Sequence, residues 1–142
     1  MSAEENKAIV RRFMADYNNR NLEIFKELVA EDYFDHVFEQ RGREHLKQLF
    51  TTAFEAFPDW YEAIEDIIAE GDRVWVRVKA TGTHTGEWNL FGALLPPTGK
   101  EITLNMVFIW RLSGARALQK DSIRRYASPS PSHEPTLCRP RR

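Results

Sequence analysis

The order of patterns along this chain predicts an α+β fold, with helices first and a curved, mainly antiparallel sheet after them. Two observations carry the prediction. Up to Pro58 the apolar residues recur at three- and four-residue spacing, and from Trp60 they alternate with polar residues at a period of two. The switch falls at a proline, which a helix interior does not accept.

The first helix is expected over 3–19, where Ala8, Ile9, Phe13, Met14 and Tyr17 share a face. Ser2 followed by Glu5 has the spacing of a capping box. Asn18-Asn19 breaks the pattern, and a short second helix follows over 21–30 with Leu22, Phe25, Leu28 and Val29 on one side. The segment from Glu31 to His36 reads as a loop leading to a short strand. Gly42 then opens a third helix, carrying Leu46, Leu49, Phe50, Phe54 and Phe57 toward Pro58.

Strands are expected over 60–69 and 73–83, joined by the hairpin turn Glu70-Gly71-Asp72. Gly82-Thr83-His84-Thr85-Gly86 interrupts the second of these with polar residues, and Pro96-Pro97-Thr98-Gly99-Lys100 is a turn feeding a strand over 101–112. In that last strand Ile102, Leu104, Met106, Phe108 and Trp110 lie on one face. Thr103, Asn105, Val107, Ile109 and Arg111 lie on the other. Both faces are apolar at mid-strand, so both are expected to be covered, the outer one by a second copy of the chain.

With 142 residues the chain makes one domain; residues 1–126 are assigned to it and 127–142, rich in Ser and Pro, to a flexible tail. A net charge of −1 with both signs dispersed gives no electrostatic case for nucleic acid or an anionic membrane. No run approaches the roughly 20 apolar residues of a spanning helix. The opening MSAEENKAIV lacks the basic-then-apolar order of a secretory signal, so a cytoplasmic protein is expected. One cysteine, Cys138, rules out an internal disulfide, and the histidines have no zinc-ligand spacing, so no metal is expected.

The string GDRVWVRVKATGTHTGEWNLFGALLPPTGK, the segment AEDYFDH before a glycine-led helix, and AFPDW at its close together resemble the SnoaL-like polyketide cyclases of the NTF2-like superfamily. The resemblance covers about 5–112. It implies a cone-shaped barrel of three helices packed on a curved sheet. It also implies a small apolar carbonyl ligand, ring closure or isomerisation by enolisation, no metal or organic cofactor, and a homodimer through the sheet. A non-catalytic binding or interaction module of the same fold is the alternative.

The residues this singles out are few. The family's acid/base aspartate lies on or near the last strand, and Asp121 is the nearest one here, otherwise an exposed turn or tail carboxylate. His36 resembles a pocket-side histidine that serves as base or is a structural histidine. Substrate-binding positions are Tyr17 on the first helix, His84 in GTHTG, Trp88 as part of a lid, and Asn105 facing the cavity. Glu62, Glu65 and Asp66 read as a solvated strand face, Asp59 as a turn cap, and His45 as surface. After Leu112 the pattern of the family's final strand is lost at Ala115–Asp121, through divergence or a reading-frame change.

Overall fold

In the structure, a computed structural model, residues 2–36, 39–90, 92–113 and 118–126 are described, the last stretch by its backbone. Three helices, α1 (Ala3–Asn18), α2 (Glu23–Leu28) and α3 (Arg43–Ala56), precede the main sheet. The capping box at Ser2 and Glu5 is formed, with each side chain bonded to the other residue's backbone N–H. Two short strands, β1 (Phe34–Asp35) and β2 (Gln40–Arg41), pair antiparallel between α2 and α3.

The sheet contains β3 (Tyr61–Glu70), β4 (Arg73–Thr83), β7 (Glu101–Leu112) and β8 (Leu118–Tyr126), hydrogen-bonded in the order β3-β4-β7-β8 and antiparallel throughout. Beyond β8 lies β1. Between β4 and β7 a small hairpin forms from β5 (Trp88–Leu90) and β6 (Ala93–Leu95), two strands not expected from alternation.

The sequence pattern of the final strand is lost after Leu112, but its backbone pairing is present. β8 pairs with β7 from Leu112↔Leu118 to Asn105↔Tyr126. Its sequence, LQKDSIRRY, has almost no apolar alternation, so pairing with a neighbour decides its conformation rather than propensity. The register skips Asp121 between Ile109↔Ser122 and Trp110↔Lys120, which makes it the extra residue of a β-bulge. Residues 127–142, read from sequence as a tail, lie outside the described residues.

Register sorts the sheet into two faces. Ile64, Val78 and Met106 share a row, as do Ile67, Val76 and Phe108, and Ala69, Val74 and Trp110. These rows meet the helices. Phe13 of α1 lies edge-on to Tyr17, Phe25 and Trp110 at centroid distances of 5.1, 5.2 and 5.3 Å, joining both helices and sheet in one aromatic core. Asn6, buried on α1, donates its side-chain N–H to Gly71 O at 3.0 Å and fixes that helix to the β3–β4 turn. The opposite face is covered in part only: Ile68 and Trp75 are exposed, and Val107 and Ile109 are half-buried. Among the described residues no helix is long and apolar enough to cross a membrane.

Candidate functional site

The sequence-derived site residues separate into groups. Tyr17, His84 and Trp88 are linked through three residues that the sequence reading had not assigned to the site. The Tyr17 hydroxyl donates to Glu62 Oε2, and Trp60 Nε1–H donates to Glu62 Oε1 at 3.1 Å. The Trp60 ring lies 5.5 Å from Phe57, which stacks on His84 at 5.0 Å and meets Trp88 edge-on at 5.2 Å. Tyr17 in turn packs on Phe50 of α3, centroid to centroid 4.5 Å.

Glu62 overturns the reading of a solvated strand face. Only Glu65 and Asp66 are exposed, with Asp66 paired to Arg77 at 2.6 Å. Glu62 is 4% exposed, because its partner across the ladder is Ala80, on the helix-covered side. The Asn18 side chain grips its backbone at both ends, accepting from Glu62 N–H at 3.0 Å and donating to Glu62 O at 2.9 Å. Burial first, then the charge of Glu62 and their hydrogen bond, raise the Tyr17 phenol well above its ordinary value, so it remains a protonated donor.

His84 is 6% exposed and built into the PPTGK turn. Its backbone donates to Lys100 O at 2.9 Å and accepts from Gly99 N–H at 2.8 Å. Nδ1 lies 3.1 Å from Thr98 Oγ1, which itself accepts from Lys100 N–H at 3.3 Å. The second ring nitrogen is Nε2. That nitrogen is buried and makes no hydrogen bond among the described residues. Asp59, expected to cap a turn, instead accepts from the backbone and hydroxyl of Thr83 at 2.7 and 2.8 Å; those bonds hold its carboxyl below the usual range.

The remaining assignments go elsewhere. Asn105 lies opposite Lys79 on the sheet face turned away from the helices, not toward the interior as expected. His36 is exposed, its ring edge-on to Phe34 at 4.9 Å. Asp121 sits at the β8 bulge, and its side chain lies outside the described residues.

One residue before His36, alternation turns the chain inward. Asp35 is 1% exposed, and Tyr33, two residues earlier on the same side of the extended chain, is fully buried. His45, read as surface, is 15% exposed at the start of α3, with Nε2 3.9 Å from Asp35 Oδ2. Burial and then the charge of Asp35 raise the Tyr33 phenol far above its usual value. Its hydroxyl makes no hydrogen bond among the described residues. Alternation across Tyr33-Phe34-Asp35-His36 was the signal available in the sequence: it turns Tyr33 and Asp35 inward and His36 outward. Among the described residues no group of three or more His, Cys, Asp or Glu is placed to hold a metal ion.

Three N-terminal helices on a curved antiparallel sheet, closing over buried acids and aromatic rings, define an NTF2-like α+β barrel. The chain belongs to the SnoaL-like polyketide cyclase family, whose sequence profile matches residues 8–123 and so extends past Leu112 into β8. It is similar in structure to AclR from Streptomyces galilaeus, named as a candidate hydroxylase: 25% identity, TM-score 0.69, covering 84% of this chain and 77% of that one. IdmH from Streptomyces antibioticus, named as a candidate polyketide cyclase, is similar at 25% identity and TM-score 0.66 over 81% and 88% of the two chains. TsrD from Streptomyces laurentii shares the fold at 17% identity and TM-score 0.74, over 88% and 90%. No protein of curated function matches the sequence significantly.

Proposed function

We propose that the protein binds a small, flat, apolar carbonyl compound between its helices and sheet and promotes enolisation of it without a metal or organic cofactor, leading to ring closure or isomerisation. The observation that carries the reading is the withdrawal of two carboxylates, Asp35 and Glu62, from water into an interior walled by aromatic rings. Abstracting a proton beside a carbonyl needs a base and a donor for the enolate oxygen, and buried carboxylates beside phenols are groups of those two kinds. Membership of the SnoaL-like family supports the ligand class. The resemblance assigns the base to Asp121, and β8, which bears it, runs beside β1, which bears Asp35.

Intrinsic tryptophan fluorescence tests binding, since Trp60 and Trp88 both border the interior cluster. Titration with steroids, anthraquinones and open-chain aromatic ketones should give saturable quenching by one class. Ketones that bind should then take up deuterium from solvent at the carbon next to the carbonyl, faster with protein than without. Binding without exchange would favour a non-catalytic binding module, and absence of both would remove the carbonyl-ligand reading.

A further inference from the structure

We propose that Asn18 is the positioning residue of the buried Tyr17–Glu62 pair: its side-chain amide takes the place of a missing neighbour strand beside Glu62 and so aims that carboxylate at Tyr17 and Trp60. The inference stands apart from the carbonyl-ligand reading. No ligand enters its test, so either can fail without the other.

β3 is the first strand of the sheet, with β4 on one side and no hydrogen-bonded strand on the other among the described residues. An edge strand leaves every second residue with its backbone N–H and C=O turned outward. Glu62 is such a residue: its N–H and its carbonyl go to Asn18, at 3.0 and 2.9 Å, rather than to Ala80 opposite. These are the two bonds that a residue of an added antiparallel strand would make. A carboxamide suits both, because it carries an acceptor and a donor side by side, as a peptide group does. Left unpaired at a residue as buried as Glu62, the two groups would be costly.

The grip matters because of what it holds. Tyr17 and Asn18 are consecutive at the end of α1, about 100° apart around the helix, so one turns into the core while the other runs along the sheet edge. Both reach Glu62. The Tyr17 hydroxyl donates to Oε2, the Asn18 amide takes the backbone, and Trp60 Nε1–H donates to Oε1 at 3.1 Å. A carboxylate can meet two fixed donors at once only in a narrow range of side-chain torsions, so a shift in the Glu62 backbone takes Oε1 or Oε2 out of reach. The single hydrogen of the Tyr17 hydroxyl is thereby committed to Glu62.

Asn18 is itself held. Arg20, at φ +65°, turns the chain out of α1. Its guanidinium donates to Asn18 O at 2.9 Å and to Pro58 O at 2.8 Å, and lies 3.8 Å from the centre of the Phe54 ring. The end of α1 is thus tied both to the turn before β3 and to β3 itself. Asn6, near the start of α1, donates to Gly71 O at 3.0 Å, nine residues along the chain from Glu62, and supplies a control that loosens the same helix at its far end.

The test compares the indole N–H signals of the isotope-labelled full chain by nuclear magnetic resonance, with the Trp60 signal assigned from its loss in Trp60→Phe. Asn18→Ala should move the Trp60 signal away from its hydrogen-bonded position and speed its exchange with deuterium about tenfold. Its melting temperature should fall by about 3–6 °C for the two bonds lost. Asn6→Ala should lower the melting temperature by about half as much and leave the Trp60 signal in place. Asn18→Asp keeps an acceptor for Glu62 N–H but sets an oxygen against Glu62 O, so it should shift the Trp60 signal as Asn18→Ala does. An unmoved Trp60 signal in Asn18→Ala would reduce Asn18 to a helix clip and overturn the proposal. A signal that moves as far in Asn6→Ala would overturn it too, since general loosening of α1 would then suffice. An Asn18→Asp protein indistinguishable from wild type would show that the amide donor is not used, with the same effect.

Discussion

Replacing Gly86 with alanine tests how the GTHTG segment is fastened to α3. The α-helical C-terminus leaves carbonyls in need of donors, and Ala56 O receives two, from Thr85 N–H at 3.1 Å and Gly86 N–H at 3.0 Å. A Cβ on Gly86 would lie 2.0 Å from Glu55 O and 3.1 Å from its carbon, both backbone atoms with no rotamer through which to escape. The segment must withdraw by about 1 Å, which takes both hydrogen bonds out of range. Losing two such bonds costs about 1–3 kcal/mol, and displacing the Phe57–His84 stack adds about 1–2 kcal/mol. Restricting the unfolded chain returns about 0.4–1 kcal/mol. The net loss is about 1–4.6 kcal/mol, centred on about 3 kcal/mol, or a fall in melting temperature of about 9 °C for a chain of this size. Gly71→Ala is the control: its φ of +58° makes alanine strained, but nothing lies within 4 Å of the added carbon, so about 1 kcal/mol is expected. Differential scanning calorimetry of both variants decides the matter. A Gly86→Ala protein melting within about 3 °C of wild type, or no lower than Gly71→Ala, would refute the clip.

Two further outcomes are expected. Tyr17 and Tyr33 both have folded-state pKa values raised above the unfolded value, so ionising either phenol is harder in the folded state and stability falls as pH rises past about 10; unfolding free energies from urea melts should drop between about pH 8 and 11 for wild type and drop less for Tyr17→Phe and Tyr33→Phe. The sheet row Ile68–Trp75–Ile109 leaves Trp75 44% exposed and is proposed to pair two copies of the chain; sedimentation at micromolar concentration should show a dimer that Trp75→Glu dissociates, and a wild-type monomer would remove the proposal.

Most of the fold was legible because its periods are unambiguous. The strands at 73–83 and 101–112 were marked off by the Glu70-Gly71-Asp72 and PPTGK turns, and β4 and β7 keep those bounds, with Gly82 inside β4. The two faces of β7 were also separable by alternation, yet choosing which one met the helices needed the register, and Asn105 went to the other side. β8 was illegible for a different reason: a strand whose residues alternate poorly is specified by its neighbour, and no local signal reports that. The site suffered from the same gap. Glu62, Glu65 and Asp66 look alike in sequence, but the register shift between Ile64 and Asp66 makes Glu65 the extra residue of a bulge, and Glu62 alone faces the core. His45 and Asp35 are ten positions apart, and their approach to 3.9 Å is set by where α3 begins relative to β1.

That two buried acids survive in one small core implies that they are stabilised in different ways. Glu62 is compensated within the fold: its donors come from Tyr17 and Trp60, which also pack against Phe50 and Phe57, so the polar bonds and the aromatic contacts enforce one arrangement. Removing one partner would strand a desolvated carboxylate, and the network is therefore expected to act as a unit. The Tyr33 hydroxyl has no such compensation among the described residues, so the folded protein carries its desolvation cost, and the gain from packing the ring in the core must exceed it.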